Sequence, residues 1–292
     1  SQNGWTMADL SRQTVKTARA LRLDVQPYWR DHHFEGKAVL PAVETLILLA
    51  RILQDAKPGA PLSCLIGADF ARLLDLPAGS RFIDVAVMVE QTEDGWSLVL
   101  QTARVTASGV KRTFRHAGVH FMSRTDPAPA PPFADFRKLE GACIQVPSSA
   151  VYRELIPFGP AYRNLGGDLA ISGQGALAEL SGGDSPADER LLGSPFVLDA
   201  AMHAACVWGQ RYAGIVAFPV GFERRDIYKP TRLGQSYLGR ILPLEAQKDE
   251  LRFDVWIFDS EGVLCERILA LRMRDISRGR MKPPRWIQER HD

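Results

Sequence analysis

The sequence predicts an α+β fold built from two similar halves, and three observations carry that expectation. The stretch Asp126-Pro127-Ala128-Pro129-Ala130-Pro131-Pro132 reads as a linker, because alternating prolines favour an extended conformation and cannot donate to a sheet. On either side of it the order of elements repeats. Each half also holds one long apolar run of helical spacing that opens at a proline, followed by alternating segments separated by glycine turns.

In the first half a strand from about Thr17 to Tyr28 leads to His32, then to Pro41 and an amphipathic helix from Ala42 to Leu53. In the second half, Tyr152 to Leu165 precedes a strand-like Gly167 to Leu180, then Pro195 and an apolar helix from Phe196 to Tyr212. Proline suits the first turn of each helix, where its missing donor would have no partner. After each helix comes a matching glycine frame, Gly67-Ala68-Asp69-Phe70 to Gly79-Ser80-Arg81-Phe82 and Gly221-Phe222-Glu223-Arg224 to Gly234-Gln235-Ser236-Tyr237. Strands are then expected at Ile83–Glu90, Trp96–Val105 and Lys111–Met122, and at Tyr237–Leu242, Leu251–Asp259 and Val263–Arg274. Turns at Glu93-Asp94-Gly95, Ala107-Ser108-Gly109 and Asp259-Ser260-Glu261-Gly262 separate them. The resulting division is a first unit over 1–125, a linker over 126–140, a second unit over 141–277 and a basic tail over 278–292.

Composition bounds the function classes. With 46% hydrophobic and 24% charged residues the chain can bury a real core. A formal charge of +2, dispersed along the chain, does not indicate nucleic acid as a partner. Arg272, Arg274, Arg278, Arg280, Lys282, Arg285 and Arg290 thicken towards the end; they read as a solvated, poorly packed tail, or else as a contact for an acidic carrier. The four cysteines have no CxxC or framework spacing. Cys64, Cys206 and Cys265 lie in apolar runs, so free thiols in a reducing compartment are expected. No apolar run is long enough for a membrane span. The first residue is Ser1 and no signal-peptide pattern follows it, which reads as a cytoplasmic protein or an excised piece of a larger one.

Two short stretches carry the chemistry. Asp31-His32-His33-Phe34-Glu35-Gly36-Lys37-Ala38-Val39-Leu40-Pro41 places a histidine just before the first helix. Leu198-Asp199-Ala200-Ala201-Met202-His203 places a carboxylate early in the second helix, with a histidine one turn on. One base and one acid are what the removal of water from a 3-hydroxyacyl thioester requires.

With these residues and their spacing, the sequence resembles the dehydratase domains of polyketide synthases. Trp29-Arg30-Asp31-His32 with Gly36 and Pro41 resembles the family's HxxxGxxxxP motif, Asp199 to His203 its DxxxQ/H motif, and Phe158-Gly159-Pro160-Ala161-Tyr162 part of its YGPxF motif. The resemblance runs from about Leu21 to Ile276. It implies a double hotdog, two units each wrapping an antiparallel sheet around a central helix, with an acyl tunnel between them. It implies His32 and Asp199 as catalytic residues, His203 as their orienting neighbour, and Gly36, Pro41, Ala42, Phe158, Gly159, Pro160 and Tyr162 as substrate-binding positions. It also implies an acyl carrier protein as the bearer of the substrate and work in polyketide or polyunsaturated fatty acid type biosynthesis; neighbouring synthase domains and a homodimer are compatible with it and stay open. No cofactor or metal is implied. The sequence departs from the family where Phe158 replaces tyrosine, where Leu155-Ile156-Pro157 replaces the glycine-tyrosine start, and where Ala42 replaces glycine after the proline.

The chemistry explains the residue types. Neutral His32 can take the C2 proton. Hydroxide leaves C3 only if protonated as it departs. The apolar neighbours Phe196, Val197, Leu198, Ala200 and Ala201 are expected to disfavour a charged carboxylate by desolvation, keeping the Asp199 carboxyl in its acid form. Free N–H groups at the helix start after Pro41 suit the developing thioester oxyanion. His203 lies on the same helix face as Asp199, where an orienting role and a satisfied core histidine are both compatible with the spacing. Tyr162 or Arg163 could line the tunnel. His33 is expected to point away from His32, and Asp31 to be a solvated carboxylate at a strand end.

Rival readings are weaker. His32, His33 and Glu35, or His116 and His120, do not share a chelating geometry. The HH pair resembles an acyl-transfer HHxxxD motif, but position 37 is Lys37. GxSxG, Rossmann and P-loop patterns are absent, so no nucleotide cofactor is indicated. Double-bond isomerisation, thioester hydrolysis and non-catalytic acyl binding remain as alternatives for a protein of this fold.

Overall fold

The computed structural model describes residues 15–126, 131–247 and 249–289. Residues 1–14 of the first expected unit, Pro127 to Ala130 of the linker and Arg290 of the tail lie outside the described residues.

The first half comprises β1 (Lys16–Asp24), a hairpin of β2 (His33–Phe34) and β3 (Lys37–Ala38), helix α1 (Ala42–Ala56), then β4 (Cys64–Asp69), β5 (Phe82–Gln91), β6 (Gly95–Val105) and β7 (Lys111–Met122). The strand expected to run to Tyr28 stops at Asp24. Pro27 has a fixed φ and no N–H, so the chain leaves the ladder and forms a 3-10 turn over Pro27–Asp31 that carries His32 inward.

The second half begins with a short α2 (Phe133–Phe136), β8 (Ile144–Pro147) and α3 (Ser148–Ala150), which runs into a π-helical turn over Val151–Leu155. Then follow β9 (Leu165–Ser172), β10 (Gly175–Ser181), α4 (Pro195–Tyr212), β11 (Phe218–Ile227), β12 (Ser236–Pro243), β13 (Glu250–Phe258), β14 (Leu264–Arg274) and a terminal α5 (Arg285–Gln288). The single strand expected over Gly167 to Leu180 is a hairpin instead. β9 and β10 pair from Ser172↔Gly175 outward, with Gly173 and Gln174 in the turn.

Among the described residues the long strands form one antiparallel sheet in the order β1-β5-β6-β7-β4-β11-β14-β13-β12-β10-β9-β8. Read outward from its centre, β4-β7-β6-β5-β1 on one side is matched by β11-β14-β13-β12-β10 on the other. Only β9 and β8 have no counterpart. The openings of the two glycine frames lie in the central pair, with Gly221 opposite Asp69 and Phe222 opposite Ala68. The backbones approach so closely there that a Cβ on Gly221 would lie 2.3 Å from the Ala68 carbonyl oxygen.

Helices α1 and α4 pack against one another inside the wrapped sheet. α4 is buried on all sides, as expected of a helix that is apolar all round. It starts crisply, since the Ser194 hydroxyl accepts the Phe196 N–H at 3.2 Å and Pro195 occupies the first turn. α1 follows Pro41 and has no side-chain cap.

The residues after β14 are not a solvated tail. Ser277 is fully buried and Ile287 is 2% exposed. The Arg211 guanidinium donates to the Ile287 carbonyl at 3.0 Å, and apolar Met281, Trp286 and Ile287, set among the basic residues, tie the segment to the core. All four cysteines are free; Cys64, Cys206 and Cys265 are buried and Cys143 is exposed.

Candidate active site

His32 is fixed by its backbone. Its N–H donates to the Trp29 carbonyl at 3.1 Å and its own carbonyl accepts the Val39 N–H at 3.0 Å. Between these bonds the chain reverses through the β2–β3 hairpin. The two turn residues, Glu35 (φ 48°) and Gly36 (φ 78°), both take positive φ, the requirement of a tight type I′ turn. Glycine meets it freely, whereas Glu35 holds it against the steric preference of an L side chain.

Asp199 lies in the second turn of α4, 4% exposed. Its Oδ1 is 3.9 Å from His32 Nε2, so the imidazole from the first half and the carboxyl from the second face each other. Its Oδ2 lies 3.0 Å from His203 Nε2, close but off the line of a hydrogen bond. His203 Nδ1 is 3.0 Å from the Tyr152 hydroxyl, which in turn accepts the Leu165 N–H at 2.9 Å. Tyr152 belongs to no expected site. Its only sequence signal is its position ahead of the Phe158 stretch, because the contact depends on the π-helical turn.

The pair opens onto a cavity of about 200 Å³. Gly36, Ala42, Phe158 and His203 line it with the pair; Leu40, Ile156, Met202 and Cys206 supply much of the apolar wall. The Phe158 ring packs between two histidines, 4.5 Å from the His32 ring and 5.2 Å from that of His203. Pro41, Gly159, Pro160 and Tyr162 are not in the wall. Pro41 is the residue before α1, and Tyr162 is fully buried with its ring 5.3 Å from that of His32. Gly159 and Pro160 lie on the loop that docks on Asp31, whose carbonyl accepts the Gly159 N–H at 2.8 Å and whose carboxylate accepts the Ala161 N–H at 2.9 Å. A Cβ on Gly159 would lie 2.4 Å from Asp31 Cγ, so this close docking needs glycine.

Two expectations change here, and one residue joins the wall unforeseen. Asp31 is a fastener between the halves, not a free strand-end carboxylate, because the 3-10 turn rotates it towards the loop. His33 does not point away but lines the cavity beside His32, since the chain is already turning into the hairpin. His116, from β7, also reaches the wall; it bonds Thr102 Oγ1 at 2.8 Å and the Arg72 carbonyl at 3.3 Å.

Burial dominates the electrostatics. It pushes His32 down from 6.5 to about 4, an effect only partly offset by the neighbouring Asp199, so the imidazole is neutral near pH 7. On the first turn of α1, burial raises Glu44 to about 7, although its carboxylate accepts the Tyr28 hydroxyl at 2.9 Å. Among the described residues no group of three or more His, Cys, Asp or Glu side chains is arranged to hold a metal ion. Nor is any helix long and apolar enough to cross a membrane.

Residues 140–283 match the family model described as the polyketide synthase dehydratase N-terminal domain. That segment contains Asp199, His203 and the Phe158 to Tyr162 stretch, and does not include His32. Solved structures resemble the chain over nearly its whole length. The dehydratase domain from the CurJ module of curacin polyketide synthase superposes with a TM-score of 0.72 at 14% identity, covering 96% of each chain. An N-terminal dehydratase from the difficidin assembly line gives 0.69 at 15% identity, covering 89% of this chain and 93% of that one. The dehydratase domain of RzxB from Pseudomonas fluorescens gives 0.66 at 17%, covering 88% and 94%. At such identities these likenesses establish the fold, the double hotdog. No curated protein matches the sequence. Residues 140–283 carry the match to the polyketide synthase dehydratase family, and the chain as a whole has the fold of those domains. The function of that family is dehydration of 3-hydroxyacyl thioesters on acyl carrier proteins within synthase assemblies.

Proposed function

We propose that this chain removes water from a 3-hydroxyacyl thioester by the paired action of His32 and Asp199. The observation that carries the reading is the 3.9 Å gap between His32 Nε2 and Asp199 Oδ1, at the wall of a largely apolar cavity. A three-carbon fragment placed there presents C2 to the imidazole and its C3 hydroxyl to the carboxyl. Neutral His32 takes the C2 proton, the electron pair of that bond becomes the C2–C3 double bond, and the Asp199 carboxyl protonates the departing hydroxyl, which leaves as water. His32 then holds a proton and Asp199 lacks one; transfer across the short gap restores both. The first turn of α1, uncapped by any side chain and reaching the cavity through Ala42, suits the charge that builds on the thioester oxygen. His203, backed by Tyr152, holds the carboxyl in orientation.

The same reading makes an acyl carrier protein the bearer of the substrate. It divides the chain into two hotdog units joined by the proline-rich connector over 126–140. Dehydration of a 3-hydroxyacyl thioester by the parent protein, followed in His32→Ala and Asp199→Asn, tests it. Each variant is expected to lose about 10²- to 10⁴-fold in turnover, the usual share of a general acid or base. A folded variant that keeps the parent rate rejects the assignment. Mass analysis of the product separates dehydration from isomerisation, which shifts an existing double bond, and from hydrolysis, which releases a free acid.

A further inference from the structure

We propose that Met281, carried by the segment after β14 and held by an ion pair to the histidine hairpin, sets the size of acyl group that the cavity accepts. The identity of the ligand as an acyl thioester rests on the dehydratase reading; the position of Met281 does not.

Met281 lines the same cavity as His32 and Asp199, yet it lies outside the strand-and-helix pattern that the two halves share. The segment bearing it is built to hold a position. The Asp275 carboxylate accepts the N–H groups of Ser277 at 2.9 Å and Gly279 at 2.8 Å, and the Ser277 hydroxyl accepts the Met281 N–H at 3.0 Å. At the far end buried Ile287 and its bond from Arg211 anchor the chain again. Between these anchors Arg280 reaches across to Glu35, with Nη2 2.5 Å from Oε1 and Nε 3.2 Å from Oε2.

This pair explains an otherwise unfavourable residue. Glu35 occupies a positive-φ position of a two-residue turn, where glycine would be relaxed. An exposed ion pair contributes little to global stability. What it does here is couple the turn that follows His32 to the residue beside Met281. A methionine is suited to such a wall, since its unbranched side chain adapts to the contour of an apolar ligand. Because the wall comes from outside the repeated units, it can change without disturbing His32 or Asp199. Arg280 is thus a positioning residue, Glu35 both borders the cavity and holds Arg280, and Met281 is the apolar surface that meets the chain.

The experiment compares the full protein with Met281→Ala, Met281→Trp, Glu35→Gly and Arg280→Lys on 3-hydroxyacyl thioesters of increasing bulk. Binding of unreactive acyl-pantetheine amides of the same chain lengths is measured in parallel. One extra methylene in an apolar pocket changes selectivity about tenfold or more. Met281→Ala should therefore shift the ratio of kcat/KM, and of affinity, about tenfold towards the bulkier chains. Met281→Trp should shift both the other way. Glu35→Gly, which relaxes the turn but breaks the pair, should shift the preference towards bulkier chains as Met281→Ala does, and Arg280→Lys should retain most of the parent selectivity. Ratios that stay within twofold of the parent in folded Met281 variants overturn the proposal, as does a parent that binds none of the amides. A parent that binds the amides in a Met281-dependent order but dehydrates no thioester leaves the wall standing and rejects the dehydratase reading alone.

Discussion

Asp31 and Ala161 stand 130 positions apart, and the carboxylate of one accepts the backbone N–H of the other at 2.9 Å. This bond fastens the loop bearing Phe158 to the turn bearing His32, and Phe158 packs directly on that imidazole. Removing the carboxylate in Asp31→Ala should cost about 1–3 kcal/mol, the range for a charge-assisted hydrogen bond, and should lower kcat/KM by loosening the ring against His32. Urea unfolding and steady-state kinetics measure the two losses. Asp31→Asn, which keeps an acceptor, should lie between parent and alanine variant in both.

The pH dependence of turnover should report a buried imidazole. On the proposed mechanism His32 acts when neutral, and burial lowers it from 6.5 to about 4. The acid limb of kcat/KM should therefore have its midpoint near pH 4, leaving the profile flat on that side between pH 5 and 7. A midpoint near 6.5 would contradict a desolvated base.

Stability should depend on pH through two buried groups that oppose each other. The lowered His32 favours folding above pH 6.5, and that contribution is lost as pH falls towards about 4, because the unfolded chain binds the proton more readily. The raised Glu44 acts in the other sense. Its contribution is complete below about pH 4.5 and is lost as pH rises through about 7. Glu44→Gln removes the second term only. Relative to the parent, the variant should gain more in Tm at pH 8 than at pH 5, and its Tm should fall more steeply between pH 7 and 4. A Tm difference between parent and variant that does not change with pH would show that Glu44 ionises freely.

Tyr152→Phe should damage both orientation and folding. The hydroxyl accepts the Leu165 N–H at 2.9 Å and contacts His203 Nδ1 at 3.0 Å. Its loss orphans a buried donor, at about 1–3 kcal/mol, and frees the His203 ring that lies 3.0 Å from the Asp199 carboxyl. The expected signature is a fall in kcat larger than any change in KM, measured on protein shown by circular dichroism to be folded. Unchanged kcat would leave Tyr152 a purely structural residue.

Much of this architecture is written in local pattern. The two helices are expected at Ala42–Leu53 and Phe196–Tyr212 and lie at Ala42–Ala56 and Pro195–Tyr212, because proline starts and apolar spacing are short-range signals. Strands with clean alternation and glycine turns, such as β5 and β6, agree within a residue or two. The misread places are those decided at a distance. Gly173 and Gln174 break one apolar run into two strands, each edge of β10 finding a partner in β9 and β12. Asp31 looks like a surface carboxylate until the Phe158 loop folds onto it. The tail looks solvated because its charges outnumber Met281, Trp286 and Ile287, the residues that bury it. Of the site, the spacing around His32 and Asp199 was visible in the sequence; Tyr152, His116 and Met281 reach it through tertiary packing alone.

The β4–β11 join lies within a single polypeptide, and this frees the two sides from copying each other. In an assembly of identical subunits every substitution is made twice, so an acid introduced for chemistry would also appear where only packing is needed. Counted from the proline at the start of each helix, Asp199 on α4 corresponds to Thr45 on α1, whose hydroxyl does no more than donate to the Pro41 carbonyl at 3.3 Å. Covalent union permits that division of labour: one helix can keep the carboxyl proposed to react while its sibling carries none at the matching position.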